Sequence, residues 1–522
     1  MENGSEFLLF SRLRGRVAAV AASLHTTRVQ EFFPQSGADV ARILDIRQLT
    51  TIARGLLKRR AVGRLPLALL SFALAPTVFA DEDSNLEVVQ MQQAFQLHHT
   101  SGSEAAWLAK VRSFMYFDTM TSIEPMFGRT ASAAPFSLGT PHVGSNSNPA
   151  ATGMFDDPCA FFVTPARNGL LALRDDFGLR SDIHEAGIFQ AASDTVPGAR
   201  SSSGAARFNA RFDWLLFRNE GEGVGRFTAQ FRQNNLFPQH DSNLSHAVES
   251  PVYLNSLAGS TDTFLARCYY AQSFADDRVM VTVGKLNSND YIALNMFASD
   301  ETTQYIAQQF DGNDVFPIAF DYYTEGVAVQ ALVTDWLYVD AVVASADGAT
   351  DPWMNFSFDE GIAVSAETGV VFDWRGLPGR VSFAWCGSNA TEDSIFGRVE
   401  EVAWGNTYAF MAQYFVEQDL GVFFQYFWGE REIVASSTSE GGLGVTIENA
   451  FGRKGDGYGL AVGWSTPVDE ELSTQGLLET YYRLQVTGSL QVSLDAQVLM
   501  PTATNEISEP TVLGAIRAVF RF

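Results

Sequence analysis

The sequence lacks what several large function classes require. Charged residues make up only 18% of its 522 positions, against about 25% in ordinary soluble domains. Basic residues are the scarcer sign, 35 against 60 acidic, for a net charge of −25. That balance excludes nucleic-acid binding, which needs a basic footprint, and attachment by docking onto anionic lipid. Cysteines number three, Cys159, Cys268 and Cys386. No CxxC or CxxH spacing joins them, so neither a zinc site, a redox pair nor a disulfide framework is indicated, and no metal or other cofactor is expected. Beyond residue 80 there is no apolar run of the roughly 18 residues that a spanning helix needs. A chain of this kind crosses a membrane only as a closed barrel, because in lipid every backbone polar group must be satisfied internally.

Aromatic residues, by contrast, are plentiful at 12%. The last twelve residues, TVLGAIRAVFRF, alternate with a period of two. One face carries Phe522, Phe520, Ala518, Ile516, Gly514 and Val512. The other carries Arg521, Val519, Arg517, Ala515, Leu513 and Thr511. Period two is a strand, and one apolar side opposite two arginines suits a wall between lipid and water. A half-buried strand closing a soluble β-domain has the same alternation. A terminal aromatic favours the closing strand of an outer-membrane barrel, where the strand would also serve as the signal read by the barrel assembly machinery.

Near the other end, Lys58, Arg59, Arg60 and Arg64 precede the short apolar run Leu65–Pro76, followed by Thr77-Val78-Phe79-Ala80 and then by acidic residues. A basic region, a short apolar region and small residues at the cleavage positions make a secretory signal peptide cut after Ala80. Residues 1–57 form a long extension upstream of it, as expected if translation starts later than Met1. The expected organisation is a leader over 1–80, an N-terminal helical and linker segment over 81–185, and a barrel over 186–522. In the middle segment Leu86–Leu97 and Glu104–Phe117 have the spacing of short helices, and Thr130–Thr152 reads as linker. His98-His99 is a solvated pair without a ligand partner.

From about Gly187 onward, period-two runs dominate. Arg207, Asn209, Arg211 and Asp213 alternate with Phe208, Ala210, Phe212 and Trp214. Arg226, Thr228, Gln230 and Arg232 alternate with Phe227, Ala229 and Phe231. Glu479, Tyr481, Arg483 and Gln485 alternate with Thr480, Tyr482 and Leu484, and Gln491, Ser493, Asp495 and Gln497 with Val492, Leu494 and Ala496. Connectors alternate too. Short turns are expected near Glu220–Gly223, Ala275–Asp277, Thr334–Asp335, Arg375–Gly379, Glu417–Asp419, Phe451–Gly457 and Thr487–Gly488. Long loops are expected at 236–262, 289–317, 346–360, 389–402, 431–442, 466–476 and 501–510. Short turns on one side and long loops on the other mark an outer-membrane barrel. The fold class is therefore all-β: an up-and-down antiparallel transmembrane β-barrel of about 16 strands, a size that leaves an aqueous channel. Trp214, Trp374, Trp404, Trp428 and Trp464 fall at strand ends, as aromatic girdles do.

Several stretches resemble the carbohydrate-selective porin (OprB) family. Asp176, Phe177, Gly178, Leu179, Arg180, Glu185 and Gly187 match a family segment in which an acidic-aromatic-Gly patch leads into a Gly-Leu-Arg helix and an acidic-x-Gly turn. Phe177 stands where the family has Trp. Phe274–Asp290 resembles the family's hairpin ending in Gly-Lys/Arg-Leu and an Asn/Asp pair. Gly452–Gly463 resembles its Gly-Arg-Asp turn and Gly-rich strand, and Glu479–Pro501 its penultimate hairpin. Gly514 and Arg517 resemble its closing Gly-x-Arg strand, with one extra residue between them. The matches run in order over residues 173–522. The resemblance implies a 16-stranded barrel, a pore narrowed by an inward-folded loop, and diffusion of sugars across the outer membrane.

A porin does no covalent chemistry. Lumen groups replace part of a solute's hydration, weakly enough for it to leave. Alternation nominates Arg207, Arg211, Asp213, Arg226, Arg232, Glu479, Tyr481, Arg483, Asp495 and Gln497 as pore-lining residues that contact substrate, joined by Arg267 and Tyr269. Taken singly, each also fits a Glu–Arg ladder that only solvates the wall. Loop 289–317 is the expected constriction, with Asn289, Asp290, Asp300 and Glu301 at the eyelet. Asp311, Asn313 and Asp314 do not have the spacing of an EF-hand and read as a turn. The expected function is passive, carbohydrate-preferring diffusion of small polar solutes, with sugars and outer-membrane lipid as partners. A general-diffusion or cation-leaning porin is the nearest alternative. An outer-membrane barrel enzyme is disfavoured because after Ile188 histidine occurs only at His240 and His246, and no strand is expected to carry the base a hydrolase needs.

Overall fold

The computed structural model describes residues 154–522, apart from residue 156 and the segments or positions 220–222, 238–242, 258–261, 276, 314, 317–322, 347–352, 355–357, 359–360, 390–403, 432, 434–435, 502–506 and 508. The signal peptide and the helices expected at 86–97 and 104–117 lie outside the described residues, as does His240.

Helix α1 (Ala160–Phe177) leads into sixteen strands. These are β1 (Leu179–Ala192), β2 (Ser202–Asn219), β3 (Gly223–Leu236), β4 (Asp262–Phe274), β5 (Val279–Asn287), β6 (Tyr323–Leu332), β7 (Leu337–Ser345) and β8 (Ile362–Trp374). They continue as β9 (Leu377–Ser388), β10 (Gly405–Glu417), β11 (Leu420–Gly429), β12 (Ser437–Glu448), β13 (Gly457–Pro467), β14 (Gln475–Gln485), β15 (Leu490–Leu499) and β16 (Thr511–Arg521). Each strand pairs with its sequence neighbours, and β1 pairs with β16 to close the barrel. At that seam His184 stands opposite Arg521 and Ala192 opposite Leu513, all antiparallel. Closure leaves no free strand edge. Among the described residues no helix is long and apolar enough to cross a membrane.

The segment expected to form a Gly-Leu-Arg helix is instead the end of α1 followed by β1. Gly178 adopts a left-handed conformation, φ 67°, and its N–H caps the carbonyls of Leu173 and Arg174. A left-handed residue ends a helix, and glycine enters it without a Cβ penalty. Leu179 and Arg180 then pair with Trp214 and Asp213 of β2. The barrel consequently starts upstream of the boundary expected at 186. His184 lies on β1, upstream of Ile188 and so outside the span for which a histidine-free wall is expected.

Alternation sets the two faces of the wall. Along β16 the even positions Val512, Gly514, Ile516 and Ala518 are exposed, and the odd positions Thr511, Leu513, Ala515, Arg517 and Val519 are buried. Along β2, Phe208, Trp214 and Leu216 are exposed while Arg207, Asn209 and Arg211 are buried. The outward face is thus an apolar band. On β10, β11 and β13 its long-loop end carries a row of rings, with Tyr408 and Tyr426 each stacked on Trp428 at 5.4 and 5.3 Å between centroids and Trp464 next in line.

The inward face does not enclose an empty tube. The β3–β4 and β5–β6 loops fold into the barrel and supply much of its apolar core. Leu244, Val252 and Leu254 from the first, and Phe297, Tyr305 and Phe310 from the second, join one cluster with Phe423, Phe427 and Leu477 of the wall. Gly421 makes room for this filling, since a Cβ there would lie 2.0 Å from the Phe297 ring.

Candidate functional site

Two backbone bonds tie the inward loops to each other. Ser256 N donates to Ile306 O at 2.8 Å, and Gln308 N to Tyr253 O at 2.9 Å. Loop 289–317, expected to act by itself, therefore enters the barrel tied to the β3–β4 loop. Apolar packing and wall side chains hold the pair against β8 to β16. A polar crevice remains between the β5–β6 loop and the wall of β1, β2, β3 and β16.

That crevice is lined on the wall by Asp182, His184, Arg207, Asn209, Arg211, Gln230, Arg232 and Arg521, and on the loop by Asp300, Glu301 and Thr302. Of the residues nominated from sequence, Arg207, Arg211, Arg232, Asp300 and Glu301 meet here. The charges are mostly spent internally. Arg207 donates to Glu301, to Asn234 Oδ1 at 3.1 Å and to Ser256 O at 3.1 Å. Arg211 holds both carboxylate oxygens of Asp213 at 2.9 and 3.1 Å. Asp300 accepts from the backbone N–H of Thr302 and from the hydroxyls of Thr302 and Thr303, which folds the loop tip. His184 pairs with Asp182 at 3.2 Å.

Two guanidinium groups stand apart. Arg232 stays 3.9 Å from Glu301 and lies over the Tyr323 ring at 5.1 Å. Its buried Nε donates to no partner among the described residues. Arg521 makes no side-chain hydrogen bond or ion pair among the described residues and lines the crevice together with Asp182. On the loop, burial first, and then the neighbouring Glu301 and Asp300 charges, hold the Asp311 carboxyl well above the usual carboxylate range.

The remaining nominated residues all face inward but away from the crevice. Arg267 takes both oxygens of Asp290, each at 2.6 Å, and fixes the root of the β5–β6 loop. Asn289 sits beside it, its N–H held by Asn287 Oδ1 at 3.0 Å. Tyr269 is buried and touches Arg211 at 3.4 Å. Asp213 and Thr228 bond at 2.6 Å, and Arg226 lies 3.9 Å from the same carboxylate. Glu479, Tyr481, Arg483, Asp495 and Gln497 lie beneath the loops. Arg483 donates to Thr303 O at 3.2 Å and to Glu448 at 2.6 Å. The Tyr481 ring meets Tyr305 edge-on at 5.1 Å. Asp495 pairs with Arg517, whose side chain is fully buried and also donates to Glu301 O and Gln304 O at 2.6 and 2.7 Å. Arg517 was expected to face lumen water and instead faces the loop.

Sequence reasoning missed Asp182, His184, Asn209, Gln230 and Thr302 as crevice residues. Asn209 and Gln230 share the alternation of the arginines beside them and were legible there. Asp182 and His184 required knowing that β1 begins at Leu179. Among the described residues no serine or cysteine lines the crevice, and the Thr302 hydroxyl there is spent on Asp300. The Asp182–His184 pair therefore has no nucleophile beside it to activate.

A comparison with curated proteins matches nothing. Among solved structures, the high-pH structure of Pseudomonas putida OprB is similar to this chain with a TM-score of 0.55 at 14% identity, over 69% of this chain and 97% of that one. Its low-pH structure gives a TM-score of 0.41 at 12% identity, over 71% and 99%. A mutant of the Rh. blastica porin gives 0.42 at 14% identity, over 66% and 100%. The first of these supports the barrel fold. The family model described as carbohydrate-selective porin, OprB family, matches residues 200–522. Family and fold point to a porin-type channel of the outer membrane rather than an enzyme, and the chain belongs to the carbohydrate-selective porin, OprB family.

Proposed function

We propose that the protein is an integral outer-membrane porin through which small sugars diffuse passively, and that they cross at the crevice between the β5–β6 loop and strands β1 to β3. The observation that carries this reading is the state of the crevice's polar groups. Arg232 keeps an unspent donor there, and Arg521 lines the same crevice, beside the Asn209 and Gln230 amides, which bond to each other, and the Thr302 hydroxyl, which is held by Asp300. Spent charge pairs give a polar wall without a strong net field, and unspent donors can replace some of a hydroxylated solute's water. Such contacts lower the barrier without trapping the solute.

The same reading supplies the other partners. The outward apolar band meets outer-membrane lipid, and β16, with Phe520 and Arg521 at its end, is the signal read by the barrel assembly machinery. The leader over 1–80 delivers the chain across the inner membrane.

Purified protein in a planar bilayer tests this reading. Steady conductance that glucose lowers reversibly is the expected result. Conductance indifferent to glucose would leave a general-diffusion or cation-leaning porin in its place. Absence of conductance from a folded barrel would remove the channel reading itself.

A further inference from the structure

The junction of the two inward loops sits on a single buried carboxylate. Ile306 and Ala307 carry consecutive N–H groups, both residues fully buried. Glu479 accepts from both, Oε1 from Ile306 at 2.7 Å and Oε2 from Ala307 at 3.1 Å. Gln497, one strand over and paired with Glu479 in register, donates to Glu479 Oε2 at 3.1 Å. The Gln497 side-chain nitrogen also lies 3.0 Å from Leu254 O on the β3–β4 loop. Gln190 of β1 closes the set, donating to Gln497 at 2.9 Å and to Leu254 O at 3.3 Å. Both loops thus converge on one chain of side chains from β14, β15 and β1.

The wall also holds the β5–β6 loop elsewhere, through Arg267 on Asp290 at its root and through Glu367, which accepts from the Ala293 N–H at 2.7 Å. Gln413 and Gln425 are uncharged amides, and Thr446 offers a hydroxyl to Phe297 O. Among the described residues, Glu479 is the wall carboxyl that accepts from two adjacent loop N–H groups, and it does so where the loops meet. Between this point and Glu301 the chain is held at Gln304 O and Glu301 O by Arg517. Segment 301–307 is consequently pinned at both ends, and it is the segment that presents Glu301 to Arg207.

We propose that Glu479, backed by Gln497, is a positioning residue that sets the width and steadiness of the eyelet from behind, without touching solute. This rests on the porin reading only in that ions must pass. Gln at 479 keeps one acceptor but turns a second donor toward a loop N–H. Asp keeps the carboxyl but withdraws it by a methylene. In Gln497→Met the length survives and the donor is lost.

Single-channel recording in a planar bilayer, with barrel integrity followed by thermal denaturation, reads the outcome. Glu479→Gln should give a noisier and larger open-channel current, and should raise the glucose concentration for half-block by roughly tenfold, the equivalent of one lost hydrogen bond. Glu479→Asp and Gln497→Met should fall between this variant and the unaltered protein, all with the barrel transition preserved. Current noise and conductance unchanged in Glu479→Gln would overturn the proposal. So would a fall in barrel stability that accounts for the noise equally in Glu479→Gln and Gln497→Met, which would make the cluster a stability device. If glucose fails to block even the unaltered channel, the sugar reading falls, while noise and conductance still decide the role of Glu479.

Discussion

Arg207 of β2 reaches across the lumen to Glu301 at the tip of the β5–β6 loop, and the same guanidinium holds Ser256 O of the β3–β4 loop. One wall side chain thus ties both inward loops to the crevice. Both partners are about nine-tenths buried. Removing one member of a buried pair leaves an uncompensated charge and costs about 3–5 kcal/mol. Arg207→Gln is expected to free Glu301 beside Asp300 and to turn the crevice toward cations. Reversal potentials under a salt gradient measure this, and a shift toward anions would contradict it.

Arg232 differs from Arg207 in having no hydrogen-bonded partner to lose among the described residues. Arg232→Gln gives up only the 3.9 Å ion pair with Glu301 and the contact with the Tyr323 ring, so it should leave both loops in place and lower the denaturation midpoint less than Arg207→Gln does. Glucose block should weaken by about tenfold, as for one lost charged hydrogen bond. A variant with normal sugar block and lowered stability would assign Arg232 to the fold and not to the passage.

The contrast between these residues explains how much was legible. Period-two alternation identified which side chains point inward, and that held for Arg207, Arg267, Glu479, Asp495 and Gln497 alike. Alternation reports only the side of the wall. Whether an inward group meets water or a folded-in loop depends on contacts far apart in sequence, such as Glu479 with Ile306 or Arg517 with Glu301. The β5–β6 loop was legible from its length and mixed composition. The part played by Ser256 and Leu254 was not, because the β3–β4 loop is recognisable as a constriction only through its pairing with a second loop. His184 was missed because the end of α1 rests on the left-handed Gly178, a local feature compatible in sequence with a helix running on.

A pair of glycines separates loop packing from lipid exposure. At Gly421 an added Cβ would lie 2.0 Å from the Phe297 ring, whereas at Gly514 nothing lies within 4 Å. Gly421→Ala should overpack the lumen at a cost of about 1–3 kcal/mol, visible in chemical denaturation. Gly514→Ala, on the outward face of β16, should change little. Equal midpoints for the two variants would mean that the β5–β6 loop does not press on β11.

Asp311 gives the loop a pH dependence with a definite sign. Its carboxyl is raised by burial and then by Glu301 and Asp300. The folded protein therefore holds this proton more tightly than the unfolded chain. Its contribution to stability is complete below the ordinary Asp range near 3.8 and is lost as pH rises toward the raised folded value. Asp311→Asn cannot lose a proton, so the difference in denaturation midpoint between variant and unaltered protein should grow with pH above about 4. A difference that is constant with pH would show that Asp311 is ionised throughout.

Arg517 tests whether the closing strand is more than a seam. Its guanidinium donates to Asp495 and to the carbonyls of Glu301 and Gln304, so β16 carries both the barrel closure and a grip on the eyelet loop. Arg517→Met should strand the Asp495 carboxylate without its counter-charge and cost about 3–5 kcal/mol. Asp495→Leu in the same chain removes the stranded charge. The double variant should therefore recover part of that loss in stability while the loop carbonyls stay unheld, so stability and current noise should part company. Contacting residues commonly show coupling of about 0.5–3 kcal/mol in such a cycle. Additive losses, with noise tracking stability in all three variants, would reduce Arg517 to an ordinary wall residue.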